Sequence, residues 1–365
     1  MSETIFVTGA TGLAGANICK HLVERGDTVR ALARPTADTA PLAALGVVVL
    51  SGDITDPDDV RRAAIGSDAA IHCAALLGGA SQHLPDFEAV NVQGTKHVLD
   101  VAEALGMRRV VAVSTGTFFD TAGGLDREDA PVTKEPSSDP YTITKMAAFQ
   151  DAMARAAAGR DVVSTHPGAI FGPSPVASNA LGRTSFNRVL LSALRQRVTR
   201  YLTFPVSWVF ADDIARGCIL ALDRGVSGER YMLDGRPEDV VSTAEACNRI
   251  CALAGIDHRV EDVAPSDDRE LLALGGRNRL EATLSEGQAA ELLRDKAFRV
   301  IFQQGFFKLR DARLEISPVP CELHLPYWLG LYGRESSVRC RVMDAVRRKI
   351  EGAKASAFFE HWLAA

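Results

Sequence analysis

The sequence predicts a doubly wound α/β fold, and three observations predict it. Short β-rich apolar runs alternate with helix-length amphipathic segments over the first 172 residues. A glycine-rich turn joins the first of these runs to the first helix. Hydrophobic residues make up 47 % and charged residues 24 % of 365, the balance of a globular chain long enough for two or three domains.

The elements follow in order. Strands are expected at Ile5–Thr8, Thr28–Leu32, Val47–Leu50, Ala69–His72, Val110–Ser114 and Val162–His166. Helices separate them, among them Ala14–Arg25 and Val90–Leu105. Short hydrophobic strands with helices between them build right-handed βαβ units and a parallel sheet covered on both faces.

Charge and composition exclude several classes. Lys plus Arg number 41 against 46 Asp plus Glu, for a net charge of −5, so no global pull towards nucleic acid or anionic membrane exists. No apolar run approaches the ~20 residues of a membrane span, and the amino terminus enters a strand without a basic, signal-like start. Seven scattered cysteines suit free thiols in a reducing cytosol, so a cytoplasmic location is expected. Cys247 and Cys251, four apart on an expected helix with His258 beyond, lack the second ligand pair of most metal sites and are read as helical core.

The chemistry begins at Thr8-Gly9-Ala10-Thr11-Gly12-Leu13-Ala14-Gly15. In a strand–turn–helix context, one glycine allows the tight turn, one admits a pyrophosphate to the backbone, and one lets the helix pack on the sheet. Free N–H groups and the helix dipole then face the phosphates. Gly9, Thr11, Gly12, Leu13 and Gly15 are therefore candidate dinucleotide contacts. The spacing is G-x-x-G-x-x-G. With the leading threonine it resembles the extended and atypical short-chain dehydrogenase/reductases, Rossmann-fold enzymes that include nucleotide-sugar epimerases and dehydratases and dihydroflavonol-reductase-like carbonyl reductases.

Cofactor choice is read at the end of the second strand, where an acidic residue would hold the ribose 2′-hydroxyl of NAD. The chain has Ala33 there and Arg34 next, and a guanidinium pairs with a 2′-phosphate. NADP(H) is thus favoured over NAD(H), the other reading of Arg34 being a solvated surface charge.

Tyr141-Thr142-Ile143-Thr144-Lys145 puts a phenol and an ammonium one turn apart on one helix face, after a Ser138-Asp139-Pro140 start. An ammonium beside a phenol lowers the phenol's pKa towards a value useful for proton transfer. The segment from Ser114 to Asp120 resembles the family's S-[ST]-x-x-V-Y-G. Matching Phe118-Phe119 to the V-Y pair puts Thr115 at the hydroxyl position, with Ser114 the neighbouring alternative. Phe119 and Asp120 depart from the usual Tyr-Gly. The resemblance implies Thr115, Tyr141 and Lys145 as catalytic residues, with Tyr141 and Lys145 also touching the cofactor.

The same resemblance implies cofactor contacts at Asp53 and Ile54, at Ala74 and Ala75 of His72-Cys73-Ala74-Ala75, and at Pro167 and Gly168 of the loop running to Pro173. Asn91, in Asn91-Val92-Gln93-Gly94-Thr95, is a supporting bridge between helix and sheet. Trp208 to Ala215 resembles a late V-x-D-[VI]-A segment whose aspartate starts a helix. The match runs from residue 4 to about 265.

Three parts are expected: a dinucleotide-binding domain at 1–172, a smaller substrate lobe at 173–290 with late strands returning to the sheet, and an appendage at 291–365. Arg183, Arg188, Arg195, Arg197 and Arg200 either grip an anionic group of the substrate or line a solvated helix. The last 75 residues hold 10 of the 23 aromatics, and 13 Lys/Arg against 9 Asp/Glu. There, Leu323, Leu325, Tyr327, Leu329 and Leu331 alternate, as do Val338, Cys340 and Val342 after a Gly333–Ser336 turn, which predicts a hairpin with Pro326 on an edge strand. A helix over about Ala345–Leu363 completes an α+β unit that packs on the catalytic domain or a partner, away from the cofactor.

The reading is an NADP(H)-dependent oxidoreductase interconverting a carbonyl and a secondary alcohol of a small molecule. Nucleotide-sugar epimerisation or dehydration, and dinucleotide sensing without catalysis, are the alternatives. No metal is expected. The resemblance implies a homodimer formed through Val90–Leu105 and Tyr141–Ala158.

Overall fold

The computed structural model describes residues 2–77, 83–120, 128–133, 137, 139–182, 185–202, 205–263, 327–332, 339–344 and 349–350. The chain divides into two compact units, Met1–Arg269 and Glu270–Ala365.

The first unit opens with β1 (Thr4–Thr8), α1 (Leu13–Glu24), β2 (Thr28–Ala33), α2 (Ala40–Ala44), β3 (Val48–Ser51), α3 (Pro57–Ala64) and β4 (Ala69–His72). α4 (Leu84–Phe87), a π-helical turn at Glu88–Gln93, α5 (Gly94–Ala104), β5 (Val110–Val113), α6 (Pro140–Ala157) and β6 (Val162–Pro167) follow. Beyond these come β7 (Ala169–Phe171), α7 (Ala177–Ala180), α8 (Phe186–Leu194), β8 (Arg200–Leu202), β9 (Val206–Phe210) and α9 (Ala211–Arg224). β10 (Arg230–Leu233), β11 (Val240–Val241), α10 (Thr243–Leu253) and β12 (Glu261–Val263) complete it.

Seven strands form one parallel sheet in the order β10-β6-β5-β4-β1-β2-β3. The doubly wound fold is therefore present, with all six expected strands in it and β10 returning from the far side of the second lobe. Alternation along the strands splits the core into two layers. Ile5, Val7 and Ile71 join Ile18 and Leu22 of α1 and Ile214 and Leu222 of α9 on one face. Phe6 and Ala70 join Val60 of α3, Val98 of α5 and Ala152 of α6 on the other.

The order reverses at β1, which pairs with β2 on one side and β4 on the other. In doubly wound sheets the carboxyl edge at such a reversal is where ligands bind. A smaller lobe stands beyond that edge. It is built from the sheets β11-β9-β7 and β12-β8 with α8 and α10, around Leu190, Trp208, Cys247, Cys251 and Val260. Cys247 and Cys251 are buried in this core, and no metal-binding cluster occurs among the described residues. No described helix is long and apolar enough to cross a membrane.

The late segment opens a helix as expected: Asp212 and Asp213 sit in the first turn of α9, where the Asp212 carboxylate meets His21 Nε2 at 2.7 Å. A first-turn carboxylate favours the helix dipole. In the second unit, β13 (Tyr327–Tyr332) pairs antiparallel with β14 (Arg339–Asp344), with Leu329 opposite Val342 and Leu331 opposite Cys340, as the alternation requires. The helix expected over 345–363 is contradicted at Lys349–Ile350, which form β15 and pair back onto Met343 and Asp344. Positions 345–348 and 351–365 of that expected helix, and Pro326, lie outside the described residues.

Gly15 sets how closely α1 approaches β1, since a Cβ there would stand 2.2 Å from the Gly9 carbonyl oxygen. Backbone cannot yield as a side-chain tip does, so Gly15→Ala is expected to cost about 2 kcal/mol or more in urea denaturation.

Candidate active site

The residues singled out by sequence meet at one edge. Gly9 follows β1, Arg34 follows β2, Asp53 and Ile54 lie just past β3, Ala74 and Ala75 just past β4, and Thr115 just past β5, while Pro167 ends β6. Asn91, Tyr141 and Lys145 reach the same edge from the π-helical turn and α6.

The dinucleotide loop has the geometry of an anion cradle. Gly9 has φ +68, and a Cβ there would stand 2.6 Å from the Ala74 nitrogen, so only glycine serves. Gly12 N–H donates to the Gly9 carbonyl at 2.9 Å and closes the turn. Gly12 caps α1 without a side-chain hydrogen bond, and no acidic residue occupies the first turn. The first N–H groups of α1 therefore keep their positive field for a phosphate. Ser114 adds a hydroxyl that is buried at the same edge with no protein partner. These features fit a dinucleotide.

Around the loop the placements differ in kind. Arg34 is exposed. Asp53 turns one carboxylate oxygen to the Thr55 N–H and hydroxyl, at 2.9 and 2.8 Å. Ile54 is buried, and its carbonyl lies 3.0 Å from His97 Nδ1. Gly168 is crowded by the Ser207 carbonyl oxygen, 2.6 Å from where a Cβ would stand. Two asparagines link the loop to the chain beyond β7: Asn17 Nδ2 donates to the Pro173 carbonyl at 3.0 Å, and Asn179 Nδ2 to the Thr11 carbonyl at 2.9 Å.

Tyr141 and Lys145 stand on α6, whose start is capped by Asp139 accepting from the Tyr141 and Thr142 N–H groups. The Thr115 hydroxyl lies beside the Tyr141 phenol and favours its charged form, while its own hydrogen bonds run to Thr117. Lys145 is buried, and its Nζ donates to the Val113 carbonyl at 2.7 Å. The phenol departs from expectation. Burial raises its pKa, the Thr115 hydroxyl pulls it partly back, and the Asp139 carboxylate raises it again. Lys145 does not depress it here, because its ammonium is turned to the end of β5 and is itself pushed down to about 8 by burial.

Several polar residues at the site carried no sequence signal. His72 is buried, with Nδ1 2.6 Å from Thr8 Oγ1 and Nε2 2.9 Å from Thr95 Oγ1. Thr95 donates its own proton to the Asn91 carbonyl at 2.6 Å, so it accepts from Nε2–H, and Thr8 donates to Nδ1. The Asn91 side chain in turn bonds both backbone groups of Leu76 and the Thr144 hydroxyl of α6. His166 is likewise buried, its Nδ1 2.8 Å from the Thr115 carbonyl oxygen. Thr117 Oγ1 lies 3.5 Å from Thr115 Oγ1 and 3.3 Å from Thr142 Oγ1. A histidine or threonine at a strand end is too common for spacing alone to mark it.

Comparison with known proteins agrees with this geometry. The NAD dependent epimerase/dehydratase family matches residues 5–233. Sterol demethylase protein B of Methylococcus capsulatus is 35% identical over 237 residues, 64% of this chain and 70% of that protein. The 4-hydroxy-2-methyl-3-oxo-4-farnesyl-3,4-dihydroquinoline-1-oxide ketoreductase of Stigmatella aurantiaca is 30% identical over 243 residues, 65% of this chain and 70% of that one. Among solved structures, a dTDP-glucose 4,6-dehydratase from Streptomyces venezuelae with NAD bound superposes with a TM-score of 0.61 at 27% identity, covering 72% of this chain and 84% of that one.

The two buried imidazoles make the fold sensitive to acid. Burial, helped by the Lys145 charge, pushes His72 from 6.5 down to about 3. Burial pushes His166 to about 4, with Lys145 and Arg230 adding to it and the Thr115 carbonyl opposing. The folded state thus binds fewer protons than the unfolded chain below pH 6.5, and stability falls as pH drops through that window. Between pH 7 and 5 each imidazole is expected to cost about 2 kcal/mol in urea denaturation, and His166→Asn should remove its share.

Proposed function

The chain belongs to the NAD-dependent epimerase/dehydratase family of NAD(P)-dependent enzymes, and from that membership we propose that it is a carbonyl reductase. In this reading it interconverts an apolar ketone and the secondary alcohol by hydride transfer. The observation that carries the proposal is the gathering of Thr115, Tyr141 and Lys145 at the sheet edge that also bears the glycine cradle.

A bound nicotinamide supplies or accepts the hydride. Tyr141 is the proton donor to the oxygen that becomes the alkoxide, and a phenol, protonated at neutral pH even at its ordinary pKa of about 10, has that proton to give. The Thr115 hydroxyl orients the carbonyl oxygen beside the phenol. Lys145 holds the cofactor ribose, a role taken from the family resemblance. Its depressed pKa measures the cost of burying an ammonium, which an acceptor brought to Nζ would lower.

The substrate proposal draws on two supports. The relatives described above are named for a sterol and for a farnesylated dihydroquinoline. In the second lobe, Phe186 and Phe210 are 37 % and 39 % exposed on an edge-to-face cluster with Trp208 and Phe171, three residues beyond Gly168. Such a surface suits a ring system or alkyl chain. Arg188, Arg195 and Arg197 are exposed and Arg200 pairs with Glu261 at 3.0 Å, which favours the solvated reading of that cluster.

We further propose a preference for NADP(H), because Ala33 replaces the acidic residue that would hold a ribose hydroxyl and Arg34 is exposed beside it. The dehydratase likeness keeps an internally recycling reaction as the second reading. A reductase consumes NADPH in step with alcohol formed, whereas an epimerase or dehydratase shows no net change at 340 nm.

With a panel of alicyclic and long-chain ketones and NADPH, Tyr141→Phe is expected to lower turnover by roughly 10²–10⁴ while leaving dinucleotide affinity intact. Unchanged turnover refutes the mechanism. Arg34→Ala should raise the NADPH KM about tenfold and leave that for NADH alone, measured by initial rates.

A further inference from the structure

The parallel ladder between β5 and β6 ends abruptly, and the residue next to the end is His166. Ser114 N–H donates to the Thr165 carbonyl at 2.7 Å. The next rung would run from the N–H of residue 167 back to the Ser114 carbonyl, but Pro167 has no N–H to give. From Ser114 onward the chain therefore leaves the sheet without ladder support, and Thr115 lies in that stretch.

The ring of His166 occupies the gap. Its Nδ1 is 2.8 Å from the Thr115 carbonyl oxygen and its Nε2 is 2.9 Å from Ser164 Oγ. A carbonyl only accepts, so Nδ1 carries the hydrogen, and Nε2 accepts from the Ser164 hydroxyl. Ser164 sits two residues back on the same face of β6, which is why it reaches the ring. Its other contact, to the Ala112 carbonyl, is longer at 3.3 Å.

Three phenylalanines fix the ring's plane. Phe118, Phe119 and Phe149 meet it edge-on, with centroids 6.0, 4.9 and 5.2 Å away. Phe118 and Phe119 belong to the segment that carries Thr115. Phe149 stands two turns beyond Tyr141 on the same stripe of α6 as Lys145. The imidazole is thus packed against both pieces of the site and is bonded to the backbone of one.

We propose that His166 is a positioning residue: its Nδ1–H holds the Thr115 carbonyl and so fixes the Thr115 hydroxyl against the Tyr141 phenol. This rests on the reading of Thr115 and Tyr141 given above. It adds a residue that touches neither substrate nor cofactor but determines where a catalytic hydroxyl sits. Any neutral side chain that keeps a donor at the Nδ1 position satisfies the role, and an apolar ring that merely fills the cage does not.

The test uses the full chain labelled with 13Cζ-tyrosine. The Tyr141 resonance is identified by its loss in Tyr141→Phe, and its shift at pH 7 reports the phenol's contact with the Thr115 hydroxyl. Thr115→Ala is expected to move it. His166→Phe, which fills the cage without a donor, should move it to the same place, and His166→Asn, whose amide stands in for Nδ1–H, should leave it near the wild-type position. His166→Phe added to Thr115→Ala should produce no further movement. On whichever ketone of the panel is turned over, His166→Phe should lower kcat about 10–100-fold with dinucleotide affinity within twofold, and His166→Asn should recover most of it.

A Tyr141 resonance that stays in place in His166→Phe, or that Thr115→Ala itself does not move, overturns the proposal. So does an equal effect of His166→Phe in the presence and absence of Thr115. Failure of the reading beneath it looks different: Tyr141→Phe would then keep full turnover, whatever the resonances do.

Discussion

The imidazole of His72 lies under the carboxyl edge of the sheet, and its two nitrogens fix opposite directions of one hydrogen-bond chain. On one side Ala74 N–H reaches Thr8 Oγ1 at 3.3 Å, and Thr8 donates to Nδ1. On the other, Nε2–H reaches Thr95, Thr95 reaches the Asn91 carbonyl, and the Asn91 amide reaches Thr144 on α6. Every member is buried or partly so, and a buried polar group without a partner costs roughly 1–3 kcal/mol. The chain is therefore satisfied as a unit or not at all. Because it starts beside Gly9 and ends one residue from Lys145, it sets the distance between the dinucleotide loop and α6. The π-helical turn at Glu88–Gln93 belongs to the same constraint, since it is the local widening that holds Asn91, whose amide spans Leu76 and Thr144.

A second constraint is steric. At both ends of the site the backbone comes closer than any side chain allows: Gly9 against Ala74, and Gly168 against Ser207 and Asp234. The first contact brings the loops of β1 and β4 together at the reversal of strand order. The second joins the end of β6 to β9 of the smaller lobe. Glycine is required at Gly9 for its positive φ and its crowding, and at Gly168 for crowding alone. Hydrogen bonds from Asn17 and Asn179 then tie the loop and α1 to the strap leaving β7. The cofactor crevice and the start of the second lobe are thus one packed assembly within the first unit.

What the sequence made legible was whatever depends on near neighbours. The six strands, the glycine turn and the phenol–ammonium pair are local patterns, and each lies where its pattern put it. The hairpin at Tyr327–Asp344 followed from alternation for the same reason. The helix expected over 345–363 failed at Lys349–Ile350 because strand pairing to Met343 and Asp344 is decided by register, which apolar spacing does not encode. His72 and His166 were invisible for a related reason. The partners of His72 lie 23 and 64 residues away, and the Thr115 carbonyl that His166 meets lies 51 away, so only the sheet brings them together. The phenol was misjudged because adjacency on a helix was equated with interaction. Lys145 is one turn away, yet its stem carries the ammonium towards the Val113 carbonyl, and burial dominates Tyr141 instead.

That misjudgement bears on the charge of the site. A phenol depressed towards neutrality would carry part of its charge at neutral pH. Here burial and the Asp139 carboxylate hold the proton on Tyr141, while burial also destabilises the charge on Lys145. Both groups are held in a site that disfavours charge. The Thr115 hydroxyl works against burial and pulls the phenol's pKa partly back. That hydroxyl hangs on a stretch of backbone whose ladder to β6 ends where Pro167 has no N–H to give, so the electrostatics of the site depend on what restrains that short stretch of chain.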